Sequence, residues 1–563
     1  MPNKLSRFWQ ELKRRNVIKV LIMYAGVAIV LIGLASDVAG PFNLPDWATR
    51  LIIILVIIGL PVAVILSWVF DITPEGIKKT GEHQGTTGTE KPNQVPDYTS
   101  DFKGSVAVLP FQDMSPQKDQ EYFCEGISEE IINVLTRVES LKVIARTSAF
   151  AFKGRQMDIR DIGKTLGVEN ILEGSIRKDG EQLRITAQLI RVNDGSHLWS
   201  EAYNRELKDI FTIQEDISLT IVDKLKMKLV GEEKAEILKR PTDNVEAYQY
   251  YLKGLSYWQM MTPEGNRLAQ ENYRKAIEKD PQFALVWATL GSNYLFAASI
   301  GLIPSKLAVE KAREYTDKAL EIDSKMSVAH GTLAAISMAY DWNIKEAERE
   351  FKKALELNPN SGWDHFFYSS YLKSARRFDE AIAESNIALE LDPFNIYIST
   401  QVGVTYLMAG LVDQAIEKQK WTIGIYPNNY MAHQHLGDAL QAKSALDDAL
   451  KEYETAVNLS DGNPTAVSRL ACALYQTGDK KTAESHIQEL KSRMEKVYVP
   501  ASVFIPFYIV KKDFDQAYMW LERALSERDF YLLYELPSPV SEYHLPDEPR
   551  FNDLLKKVGY LNF

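Results

Sequence analysis

Two near-continuous apolar runs, Val20 to Ala35 and Leu51 to Phe70, stand near the start of the chain. About 20 apolar residues suffice to cross a bilayer. With their flanks the runs predict two spans, about 17–39 and 50–70, within a helical hairpin over 17–71. Beyond them the apolar pattern shortens. Ser105 to Phe111 is a β-branched run that predicts a buried strand. Ile127, Ile131, Val134, Leu135 and Val138 recur at helical spacing and predict a helix over 126–138. A strand at 142–145, a helix at 159–166 stopped by Gly167, and strands at 170–177 and 183–192 around the Asp179-Gly180 turn follow. A strand over 197–203 and a helix over 210–229 complete a small mixed α+β domain at 102–230.

From residue 243 the pattern Ala-x3-aromatic-x2-Ala-Leu/Ile-x2-Asp/Asn-Pro recurs. Its first alanine falls at 269, 312, 347, 381, 415, 449, 483 and 517, at intervals of 43, 35 and then 34 residues. A fixed period of this size marks stacked helix pairs. Gly254, Gly291, Gly403 and Gly437 fit close helix approach, and Pro281, Pro359, Pro393 and Pro427 mark stops between repeats. An insertion around 298–307 lengthens the first interval, Leu490 replaces an alanine, and Pro506 bends the last first-helix. The segment 243–530 is thus read as about eight repeats, followed by a capping segment at 531–563 whose stretch 549–561 is amphipathic.

The repeat pattern resembles the tetratricopeptide family, an all-α solenoid with a concave groove. That resemblance implies a protein-binding groove to which Tyr248, Tyr251, Trp258, Trp363, Phe366, Lys373, Tyr397, Gln434, Asp438, Gln441 and Tyr475 contribute. The stretches SVAVLPFQDMSP, DIRDIGKTLGVENILEGSIRK and ITAQLIRVNDGSHLWSEAYNREL resemble the TolB amino-terminal-like domain. In that family the domain has no ascribed catalysis, which implies a structural or protein-contact role.

Basic residues fix the expected orientation. Lys4, Arg7, Lys13, Arg14, Arg15 and Lys19 precede the first run, only Arg50 lies between the runs, and Lys78 and Lys79 follow. The basic tail 1–16 and both termini are therefore expected in the cytoplasm of a multi-pass bacterial inner-membrane protein, with the bilayer itself as one partner. The Gly, Thr, Glu and Pro composition within 72–101 predicts a flexible linker.

Chemistry is sparse. Gly163-Lys164-Thr165 lacks the glycine of a phosphate loop, because Asp158 stands in its place. His197 and Glu201 lie on a strand and lack a third ligand, His433 and His435 fall on different helix faces, and Cys124 sits between acids that raise a thiol pKa. No catalytic, metal or cofactor residue is expected. A net charge of −11 argues against nucleic acid as a partner. The sequence therefore predicts a membrane-anchored, non-enzymatic adaptor recruiting partners of unknown identity through its repeats. The alternative is an accessory or sensor subunit of a cyclase- or regulator-associated signalling system.

Overall fold

The computed structural model describes residues 104–529 apart from 228, 230–232, 259, 261 and 300–302, together with strands at 70–73 and 76–79 and the single residues Leu532, Asp553 and Lys556. Two units are present, 1–97 and 98–563. In the first, β1 (Phe70–Thr73) pairs antiparallel with β2 (Gly76–Lys79), Phe70 opposite Lys79.

This corrects the sequence reading. No helix among the described residues is long and apolar enough to cross a membrane. The transmembrane hairpin in the expected fold class, the bilayer partner and the multi-pass inner-membrane location with cytoplasmic termini are therefore unsupported. The last residue of the expected second span, Phe70, starts a strand, and β2 occupies part of the expected linker. Phe, Ile and Thr in the stretch Phe70-Asp71-Ile72-Thr73 favour extended backbone. The runs before Phe70, the basic tail, residues 80–101 and the amphipathic tail except Asp553 and Lys556 lie outside the described residues.

The α/β domain of the second unit runs β3 (Gly104–Val108), β4 (Gln112–Asp113), α1 (Glu121–Leu135), β5 (Leu141–Val143), α2 (Arg146–Phe150), α3 (Ile159–Leu166), β6 (Asn170–Asp179), β7 (Gln182–Arg191), β8 (His197–Glu206) and α4 (Ile210–Lys224). The sheet order is β5-β3-β6-β7-β8, with β4 beside β6. β3 is parallel to both β5 and β6, as helical crossovers require. Its other half is an antiparallel meander turning at Gly180, whose φ of 61° is the left-handed conformation the sequence predicts for this turn. α3 ends where expected, at Gly167 with φ 66°.

After the short α5 (Glu233–Ile237) come eight helical hairpins among the described residues. They pair α6 (Val245–Trp258) with α7 (Pro263–Lys279), α8 (Ala284–Ser299) with α9 (Ser305–Ile322), α10 (Ser327–Ile336) with α11 (Ile344–Leu357), and α12 (Gly362–Ser374) with α13 (Phe378–Leu391). The rest are α14 (Ile396–Met408) with α15 (Val412–Ile425), α16 (Tyr430–Ala442) with α17 (Leu446–Leu459), α18 (Pro464–Thr477) with α19 (Lys480–Arg493), and α20 (Ile505–Val510) with α21 (Phe514–Ser526). The eight repeated alanines, from Ala269 to Ala517, are all 0 % exposed. A larger side chain there would push the second helix off its neighbours. A Cβ on Gly437 would stand 2.6 Å from the Tyr453 ring, so the glycine and the aromatic slot of one repeat fit as a pair. Pro506 does shorten the last first-helix, which starts as a 3-10 turn at Ala501–Phe504.

The solenoid has two edges, and each makes a distinct contact. The loops between repeats carry the α/β domain. Asn360 donates to the carbonyls of Thr136 and Val138 at 3.1 and 3.0 Å, and the Ala145 amide donates to Leu391 O at 2.8 Å. The Ser148 hydroxyl donates to Asp392 at 2.5 Å while accepting from the Phe394 amide, and Phe152 meets Phe394 edge-on. Burial pushes the Asp392 carboxyl up to about 6, against the pull of the Ser148 and Asn395 hydrogen bonds. On the opposite edge, the turn inside the third hairpin meets the end of the last hairpin. Arg528 donates to Tyr340 O at 2.9 Å and lies 3.7 Å from the Trp342 ring centroid. A cavity of about 340 Å³ lies along this seam, lined in part by Ser305, Tyr498 and Glu527.

Candidate protein-binding groove

On a helix, residues three and four apart share a face. On α12 that spacing joins Trp363, Phe366, Phe367, Ser370 and Lys373 into one stripe. The stripe packs toward the next first-helix. Tyr397 of α14 stands 6.0 Å from Trp363 and 5.3 Å from Phe366, ring centre to ring centre. Phe367, absent from the sequence-derived set, stacks on Trp363 at 5.9 Å. Trp363, Phe367 and Tyr397 are half-buried and offer aromatic surface, whereas Phe366 is buried beneath them.

Further along, the lining is polar and internally bonded. Asp438 receives the Tyr453 hydroxyl at 2.9 Å and lies 3.3 Å from Arg469 Nε and 3.2 Å from His435 Nδ1. Burial raises its pKa, but Arg469 and the hydrogen bonds more than compensate and hold it below the usual carboxylate range. Gln441 accepts from Tyr453 and donates to Gln476, and Gln434 accepts from Thr465. Tyr475 is half-buried, edge-on to Phe507 at 5.6 Å.

The first hairpin is different. Tyr248 and Tyr251 are 0 % and 2 % exposed, in a core that α6 shares with the α/β domain. Tyr248 accepts from Gln214 at 2.7 Å, and Tyr251 donates to Glu130 at 3.4 Å. Glu130 is pushed up to about 7, chiefly by burial and then by Glu129 beside it. These two tyrosines, expected in the groove, bind the domain instead, because α1 packs on α6 tightly enough that a Cβ at Gly126 would meet Leu252 at 2.7 Å. Trp258 is half-buried against Phe296.

Three histidines form a motif the sequence reading missed. His330, His365 and His433 each turn Nδ1 to a glutamate of the second helix, Glu350, Glu384 and Glu452, at 2.5, 2.5 and 2.6 Å. Nε2 meets a carbonyl oxygen six residues earlier, at 3.0, 2.9 and 3.1 Å. Trp287 makes the equivalent donation to Pro281 O. For His365, burial lowers the pKa but the Glu384 hydrogen bond outweighs it, so the net shift is upward. Each ring ties together the two helices of its own hairpin and the loop that precedes them. The signal was available, since the histidine lies 16 or 17 residues before the repeated alanine and the glutamate 3 after it. Among the described residues no cluster of three His, Cys, Asp or Glu could hold a metal. Cys124 is buried and pushed up to about 12 by desolvation and then by Asp113.

Comparison with known proteins finds likenesses to parts of the chain. Residues 102–220 match the family of HilA/YgeH-like transcriptional regulators, second domain, rather than the TolB amino-terminal-like family expected from the sequence. A protein named putative adenylate cyclase 3 from Rhizobium meliloti is 35 % identical over 263 residues, 46 % of this chain and 43 % of that protein. The transcriptional regulator HilA of Salmonella typhimurium is 22 % identical over 324 residues, 55 % of each chain. The chain therefore spans about half the length of these curated relatives. Among solved structures, yeast Tom70 is similar at 16 % identity and TM-score 0.37 over 63 % of this chain and 82 % of its own. Pseudomonas aeruginosa PilF is similar at 20 % identity and TM-score 0.31, over 42 % and 97 %.

Proposed function

We propose that this chain is a non-enzymatic protein-interaction scaffold whose partners bind along the first-helix face from α12 to α18. The observation that carries this reading is the make-up of that face. An aromatic patch at Trp363, Phe367 and Tyr397 lies on α12 and α14, and a bonded polar set of Gln434, Asp438 and Gln441 lies on α16. Half-buried aromatics beside fixed polar groups suit protein recognition. The α/β domain occupies the loop edge and leaves this lining uncovered by the contacts described above.

The test compares proteins captured by the wild-type chain with those captured by Trp363→Asp and by Trp421→Asp, a change at an exposed second-helix tryptophan. Proteins lost only with Trp363→Asp support the reading. An unchanged set with both variants overturns it.

A second reading follows from the relatives' names: the chain serves as a partner-sensing accessory unit in cyclase or transcriptional signalling. It differs from the first in the identity of the partner rather than in the surface used. Incubation of the purified chain with ATP and magnesium should give no cyclic AMP, and product formation would contradict the non-enzymatic reading.

A further inference from the structure

The groove lining leaves one charged group unsatisfied. Lys373, at the end of the α12 stripe, is 3 % exposed. Among the described residues its ammonium has no hydrogen-bond or ion-pair partner, and burial alone pulls its pKa down to about 8. Three other deep-set cations are paired: Arg146 with Glu125 and Glu129, Lys142 with Glu390, and Arg469 with Asp438. A buried ammonium without a counter-ion is costly. The same helix face carries the aromatic patch, so a lone positive charge and an apolar surface lie in line.

We infer that the α12–α14 face binds an acidic peptide segment of a partner protein, one carboxylate pairing with Lys373 and neighbouring apolar side chains lying on Trp363, Phe367 and Tyr397. This rests on the groove reading and names the chemistry of its ligand. A carboxylate supplies the missing counter-ion in a site already shielded from water, where charge-assisted bonds are strong. Spacing constrains the ligand further. Lys373 lies six residues from Phe367 and ten from Trp363, roughly 9 to 15 Å along the helix. An extended peptide covers that in about three to five residues. The ligand therefore carries Asp or Glu three to five positions from an aromatic or aliphatic anchor.

The experiment is a random-peptide display selection on the purified full chain and, in parallel, on Lys373→Met. Removing an unpaired buried charge should raise the melting temperature, which verifies that the variant is folded. The expected result is enrichment of peptides with an acid at that spacing on the wild type, and loss of the acid preference on Lys373→Met. The best peptide should bind Lys373→Met at least about tenfold more weakly, and its acid-to-amide version should bind both chains alike. Enriched peptides without a preferred acid, or an acid preference that survives Lys373→Met, overturn the inference and leave the groove reading standing. Failure to enrich any peptide on the wild type counts against the groove reading itself, and with it this inference.

Discussion

The first and fourth hairpins carry aromatic residues at equivalent places on their first helices and put them to opposite uses. In α6, Tyr248 and Tyr251 are sealed into the α/β domain and hydrogen-bonded to Gln214 and Glu130. In α12, Trp363 and Phe367 stay half-exposed above buried Phe366, and the stripe ends in an unpaired lysine. A repeat motif specifies how its helices stack. It does not specify what its groove positions face, because that depends on which repeats are already occupied by another part of the chain. The N-terminal end of the solenoid is occupied by the α/β domain, and on the proposed reading the centre is left for a partner.

The comparison breaks most readily at Tyr251. Tyr251→Ala should cost about 3 to 5 kcal/mol in urea unfolding, since it empties a fully buried aromatic site. Trp363→Ala should cost only about 1 to 2 kcal/mol, because that ring is half-exposed. Equal costs would erase the distinction between the two hairpins.

Glu130→Gln sharpens the same point through pH. The Glu130 carboxyl is raised from 4.5 to about 7, so its charged form is disfavoured in the fold. Wild type and variant should be equally stable below about pH 4.5. The variant's advantage should grow between the two values and level off above about pH 7, at about 2 to 3 kcal/mol. A flat difference across this range would show that Glu130 is not desolvated by the docked domain.

The smallest effect is expected at the other edge. Arg528→Ala removes the contact with Trp342 and the bond to Tyr340 O and should cost no more than about 1 kcal/mol. Amide exchange at 337–342 should nonetheless accelerate as the seam opens. Unchanged exchange there would mean that the last hairpin does not hold the third.

Local signals were well marked in the sequence. The alanine period, the Asp179-Gly180 turn and the stop at Gly167 each express a steric or dihedral requirement that the residue itself carries. What escaped were contacts between distant positions. Ser148 and Asp392 are 244 residues apart, and neither belongs to a periodic pattern. The fate of Tyr248 and Tyr251 depends on this docking, so the family geometry alone assigned them to the groove. The histidine staples are periodic, but their role shows only once His433 is seen to face Glu452 of its own hairpin. Hydropathy alone does not distinguish a span from other apolar segments, and Phe70, the last residue of the expected second span, begins a strand.

The most direct test of the division between an occupied first hairpin and an open centre is hydrogen exchange of the full chain with and without a peptide selected on it. Protection should rise over 362–374 and 396–408 and stay unchanged over 245–258. Protection that rises over 245–258, with no change in the α12 and α14 helices, would contradict the account.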